Sequence, residues 1–98
     1  MQKLTVVLSN VGNIDFGQIP TRPLPRTQDE IVTVNSLKEA REACHRYINK
    51  NRLGGGNWTG GQVYDENEKP VARISYNGRI WEWDGHTEWT INTKEIII

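Results

Sequence analysis

Apolar residues recur along this chain in distinct rhythms, and each rhythm names an element. From Lys3 the segment KLTVVLS alternates, with Leu4, Val6 and Leu8 on one side, the period-two signature of a strand. IVTV at 31–34 reads as a second short strand, antiparallel to the first because their connection needs no crossover helix. Between them GQIPTRPLPRTQDE holds three of the four prolines within six residues. Proline fixes φ and lacks a donor, so this stretch is an extended surface loop with some polyproline character.

After Val34 the spacing lengthens. In SLKEAREACHRYINKNRLG, Leu37, Ala40, Cys44, Tyr47 and Ile48 fall at intervals of three and four and form one apolar stripe. Ser36 followed by Glu39 is a capping box that starts the helix, and Gly54 is expected to stop it in the left-handed conformation. Cys44 then points at the core as a small hydrophobe. His45 lies ~100° further round the helix, too divergent to activate it.

Beyond Gly61 the period returns to two. The pairs Asn77-Gly78 and Asp84-Gly85 are strong signals for two-residue hairpin corners. The first corner sets Ile74 against Trp81, Arg73 against Glu82 and Ala72 against Trp83. The second sets Trp81 against Glu88 and Ile80 against Trp89. The longer ENEK turn places Val63 across from Ala72 and Tyr64 across from Val71. On this register Val63, Ala72, Ile74, Tyr76, Trp81 and Trp83 face the helix, each indole burying about 150–250 Å². Gln62, Arg73, Ser75, Glu82 and Thr87 face outward, with Tyr64, Val71, Ile80 and Trp89 among them, and Arg73 and Glu82 form a cross-strand ion pair. The expected architecture is a single α+β domain over residues 1–98: strand, strand, helix, then a four-stranded antiparallel meander, with one helix packed on one sheet face.

Composition narrows the function. Twelve basic and twelve acidic residues leave no formal charge, so no net field draws the chain to nucleic acid or anionic lipid. Arg22 and Arg26 in the proline segment, and Arg41, His45, Arg46, Lys50 and Arg52 on the helix, make weak local patches. Glu39 and Glu42 interrupt the second, which argues against nucleic acid as a partner. One cysteine allows no internal disulfide, and no zinc-type pairing of Cys or His occurs. The opening lacks a leader pattern, and no run approaches the ~18 apolar residues of a membrane span. A cytoplasmic protein without metal or cofactor is the expectation.

The segment GGGNWTGG, 54–61, is the most unusual in composition. A phosphate-cradling loop needs a helix after it with Lys and Ser or Thr at its head; here the helix comes before and a strand after. The glycines read instead as a helix stop, a reversal and a close backbone passage, with Trp58 as a lid over one end of the core. NWT also fits a glycosylation sequon, but nothing else points to secretion. A competing reading makes the loop one wall of a ligand cleft against the sheet, lined by Trp58, Tyr76, His86 and Glu88.

LGGGNWTGGQVYD followed by KPVARISYNGRIW resembles a recurrent pattern of small bacterial proteins carried on mobile DNA, such as integron cassettes or phage-like regions. The resemblance spans Leu37 to about Trp81. It implies a bacterial accessory role and supplies no catalytic residues.

Chemistry gives little support to an enzyme. His86 and Glu88 offer at most two ligands where a metal site needs three or four, and no second carboxylate pairs with Glu88 by spacing. Binding is better supported. Tyr64, Ile80 and Trp89 form an outward cluster of the kind found at interfaces, and the closing EIII has to be covered, by pairing with the first strand or by a second subunit. The expected function is a non-catalytic protein that binds another protein or itself. A small-ligand binder is the alternative, and an enzyme of unknown type the remote third.

Overall fold

Alternation in the first strand decides which side of the sheet becomes the core. The structure is a computed structural model that describes residues 3–13, 17–19, 21–25, 27–86, 90 and 92–98. In strand β1 (Leu4–Leu8), Leu4, Val6 and Leu8 are buried while Thr5 and Val7 point to the opposite face. β1 pairs antiparallel with β2 (Glu30–Val34) on one side and with β3 (Gln62–Tyr64) on the other. With β4 (Pro70–Ile74) and β5 (Ile80–Glu82) the sheet runs β2-β1-β3-β4-β5, every pairing antiparallel. The α+β architecture with one helix on one face is therefore as expected.

Helix α1 (Leu37–Lys50) lies against β1 and β2. Its buried residues are Ala40, Ala43, Cys44, Tyr47 and Ile48, the expected stripe with Ala43 added and Leu37 at its margin. Ser36 Oγ accepts the Glu39 amide at 3.1 Å, and Glu39 Oε2 accepts the Asn35 amide at 2.7 Å. The return bond of the capping box thus reaches one residue upstream. The far end differs from expectation. Arg52, not Gly54, takes the left-handed conformation (φ 53°), and the Leu53 and Arg52 amides donate back to Ile48 and Asn49 carbonyls at 2.9 and 3.3 Å. That Schellman closure puts Leu53 beside the last turn and buries it, an apolar contact that fixes the stop two residues early.

The larger correction is in the β4–β5 hairpin. Ile74 opposes Ile80, Arg73 opposes Trp81 and Ala72 opposes Glu82, one residue away from the expected register. Asn77-Gly78 does not form a two-residue corner. The Gly78 amide donates to Ser75 O and the Ser75 amide to Arg79 O, both at 2.9 Å, with only Gly78 at positive φ (83°). This is a three-residue loop, a type I turn closed by a left-handed residue, which the same dipeptide serves equally well. The preceding turn repeats it: Asp65 and Lys69 take the places of Ser75 and Arg79, and Glu68 (φ 62°) that of Gly78.

A slip of one residue exchanges the faces. Ile80 is buried beside Ile74, Val63 and Ala72, whereas Trp81 and Trp83 lie on the helix-free side with Arg73. The Arg73–Glu82 ion pair does not form, because their strand positions now point to opposite sides. Tyr76 sits at the exposed hairpin tip rather than in the core. Packing explains the choice. The helix presents Ala40, Ala43 and Cys44 to the sheet, and such small side chains hold the layers too close for two indoles. Val63 does oppose Ala72, while a bulge sets Tyr64 against Pro70 rather than Val71.

The fourth meander strand is also corrected. The outer edge of β5 is occupied by the chain end: Glu95 bridges to Trp81, the Glu82 amide donates to Lys94 O at 2.9 Å, and the Ile96 amide to Ile80 O at 2.7 Å. The terminal isoleucine segment therefore lies along β5, not β1, leaving Ile97 and Ile98 exposed. Asp84 Oδ1 caps the His86 amide at 2.9 Å, and the expected pairings of Thr87, Glu88 and Trp89 lie outside the described residues.

Candidate functional site

Two neighbouring regions gather the polar and aromatic residues singled out in the sequence, and they are built differently. The first is a clasp. Asn10, directly after β1, is 1% exposed, and its Nδ2 donates to Tyr47 Oη at 2.9 Å and Thr27 Oγ1 at 3.0 Å. Its Oδ1 accepts the Leu24 amide at 2.7 Å. Tyr47 Oη donates onward to Gln28 O at 2.8 Å, so the proline-rich segment is tied to the helix by one side chain. Burial raises the Tyr47 pKa above its ordinary value, the bond from Asn10 opposing this in part. Buried Asn57 does the same for the glycine loop: its Oδ1 accepts the Gly54 amide at 2.9 Å, and its Nδ2 donates to Val11 O and Gln18 Oε1 at 2.9 and 3.0 Å. Every one of these bonds joins segments far apart in sequence or closes the loop on itself.

Trp58 completes the clasp. Its indole N–H donates to Ile74 O at 3.0 Å and its ring lies 6.0 Å from that of Tyr47, packed against the core cluster. Next to it Gly61 (φ 96°) bonds Val7 O through its amide and receives the Ile74 amide on its carbonyl. A Cβ at Gly61 would run into the Ile74 backbone, so the loop passes where no side chain fits. The glycine loop is a structural bridge with Trp58 over the core end.

The second region is a cleft of about 390 Å³ where the hairpin tip and the helix-free face meet that loop. Trp58, Tyr76, Trp81 and Trp83 line it, together with Arg73 and Arg79. Strand geometry explains the grouping. Arg73 and Ser75 on one strand stand opposite Trp81 and Arg79 on the other, so the two guanidinium-bearing positions are diagonal neighbours ~7–8 Å apart with the indole between. Among the described residues neither guanidinium is hydrogen-bonded or ion-paired. Tyr76 Oη donates to Leu53 O at 3.3 Å, anchoring the tip to the helix end, and Trp83 meets Tyr64 edge-on at 6.0 Å. Glu82 also borders the cleft, from a strand position that points away from the face carrying Arg73.

The structure sorts the sequence candidates. Trp58 and Tyr76 line the same cleft; His86 is exposed and does not line it, and Glu88 lies outside the described residues. Of the interface trio, Tyr64 stands on the helix-free face, Ile80 is 2% exposed in the core and so leaves the surface, and Trp89 lies outside the described residues. Arg73, Arg79, Trp81 and Trp83 were not among the candidates. The signal for them was the ambiguity of Asn-Gly between two loop lengths, together with the small helix face.

Cys44 is fully buried and burial pushes its thiol up to about 12, so it carries no thiolate at neutral pH. Among the described residues no three of His, Cys, Asp and Glu come close enough to hold a metal, and no helix is long and apolar enough to cross a membrane. No known protein family, curated protein or solved structure matches this chain.

Proposed function

We propose that this protein is a non-catalytic binding protein whose ligand enters the cleft between the glycine loop and the β4–β5 hairpin. The observation that carries this reading is the pairing of aromatic walls with two arginines that have no partner among the described residues. A cleft of a few hundred Å³ with apolar walls and a few convergent polar groups is the usual form of a small-molecule site. Exposed arginines side by side repel one another, and their placement gains meaning from an external counter-group. An accessory role in a bacterium, as the sequence resemblance implies, accords with a chain that binds and does not transform.

Thermal shift across a metabolite panel tests the proposal. A ligand at a hundredfold its dissociation constant adds about 2.7 kcal/mol to stability, and Trp83→Ala abolishes that gain. A panel without a single stabilising compound, or a hit equally effective on Trp83→Ala, sinks it.

A second reading is favoured by the charge layout of the helix-free face. Arg73 and Arg79 stand at one end, while Asp65, Glu66 and Glu68, with Lys3 among them, rim a depression at the other that includes Ile31, Val7 and Tyr64. Two copies stacked face to face and head to tail would match opposite charges across an apolar centre. Light scattering at micromolar concentration decides it: a monomer excludes this arrangement.

A further inference from the structure

We infer that the cleft recognises a phosphate carried on a flat ring, the chemistry of a nucleotide, either free or as a residue of a single strand. This rests on the reading of the cleft as a ligand site and goes beyond it by naming what binds. The planar fork of a single arginine already matches the two oxygens of a carboxylate, whereas a pair of arginines matches a group with more oxygens and more charge. Phosphate offers three oxygens. Arg73 and Arg79, diagonal across β4 and β5, converge on a group lying between them over Ser75, and a phosphate there receives donors from both.

The remainder of the cleft suits a ring. Trp81 adjoins both arginine positions, Trp83 continues two residues along the same chain, and Tyr76 closes the opposite wall at the hairpin tip. Flat aromatic walls take a base by stacking and tolerate any base, because every base has a π-face. With the two arginines at the hairpin end of the cleft and Trp83 at the other, the ligand is oriented, phosphate toward the hairpin tip and ring toward Trp83. Ser75, Asn77 and Thr93 supply hydroxyl and amide groups for the sugar or the base edge. The balanced net charge of the chain is no obstacle, since the field that matters is that of two guanidiniums at short range.

The test is tryptophan fluorescence titration of the full chain with adenosine monophosphate, adenosine, inorganic phosphate and a short oligothymidylate. Wild type is compared with the double variant Arg73→Gln, Arg79→Gln, each checked for an unchanged urea midpoint. Saturable binding of the monophosphate that weakens at least ~tenfold in the double variant, with adenosine and inorganic phosphate each much weaker, supports the inference. Tighter binding of the oligothymidylate, falling steeply with salt, also supports it and assigns the source as a single strand. Equal affinity for adenosine and its monophosphate, equal affinity for inorganic phosphate alone, or no saturable response to any probe overturns it. An uncharged hit in the metabolite panel that Trp83→Ala abolishes, with none of these probes binding, leaves the cleft reading standing and removes this one.

Discussion

The clasp around Asn10 and Asn57 and the cleft around Trp81 lie on either side of the same glycine loop and draw on the same residue types. In the clasp each amide group is buried and spent on three or more bonds within the chain, and the indole of Trp58 is held by a carbonyl on one side and a ring on the other. In the cleft two guanidiniums have no partner among the described residues. A buried polar group without a partner is costly, so burial forces a closed network; an exposed one costs little and can wait for something external. The difference separates what holds this fold from what it offers.

Breaking the clasp gives the largest expected effect. Asn10→Ala strands the Leu24 amide and removes the side-chain donor to Tyr47 Oη, and costs about 3 kcal/mol. Urea denaturation measures it. A loss below ~1 kcal/mol would mean that water replaces the asparagine and the network is not closed.

The next effect is a pH dependence set by the core beneath the clasp. Cys44 ionises near its ordinary 9.0 when unfolded but only about 12 when folded, so above pH 9 the unfolded chain loses a proton that the folded chain keeps. Stability therefore falls as pH rises, by about 1 kcal/mol between pH 9 and 10. Tyr47, also raised by burial, begins to act in the same direction only near its unfolded 10.0, at the upper edge of this window. Cys44→Ala should remove most of this slope; the same slope in both proteins would assign it elsewhere.

Smaller again are the two turns that carry a non-glycine residue in the left-handed region. Arg52 closes the helix at φ 53° and Glu68 closes the β3–β4 loop at φ 62°. Glycine at either position relieves a conformational penalty and is expected to raise stability by about 0.5–1 kcal/mol, read from the melting midpoint. If Gly54 were the true stop, Arg52→Gly would destabilise instead.

These same turns show what was legible in the sequence and what was not. The helix, its Ser36 cap and the β1–β2 pairing follow from periodicity over many residues, so no single position could mislead. The β4–β5 register hung on one dipeptide. Asn-Gly closes a two-residue corner with both residues at positive φ, or a three-residue loop with only the glycine there, and Gly78 alone is at positive φ among the two. Local chemistry leaves these nearly equal, and the helix decided between them, since a face of Ala40, Ala43 and Cys44 admits Ile80 and excludes Trp81 and Trp83. The cleft was half visible for the same reason. Trp58 lies outside the slipped register; Tyr76, Arg73, Trp81 and Trp83 lie within it and were set on the wrong faces, Tyr76 being named for the cleft only through the competing reading of the glycine loop.

The sharpest form of the comparison is the smallest effect. Arg73→Gln, Arg79→Gln removes two charges from the cleft without touching a bond of the fold. Surface changes of this kind move stability by no more than ~0.5 kcal/mol, and here the sign should favour the variant because two like charges on diagonal positions no longer repel. A urea midpoint unchanged or slightly raised, alongside the lost ligand response, is what a site held in reserve for binding predicts. If the midpoint instead falls by the equivalent of ~1 kcal/mol or more, the arginines are structural. The cleft then becomes a second clasp, and the distinction between the two regions disappears.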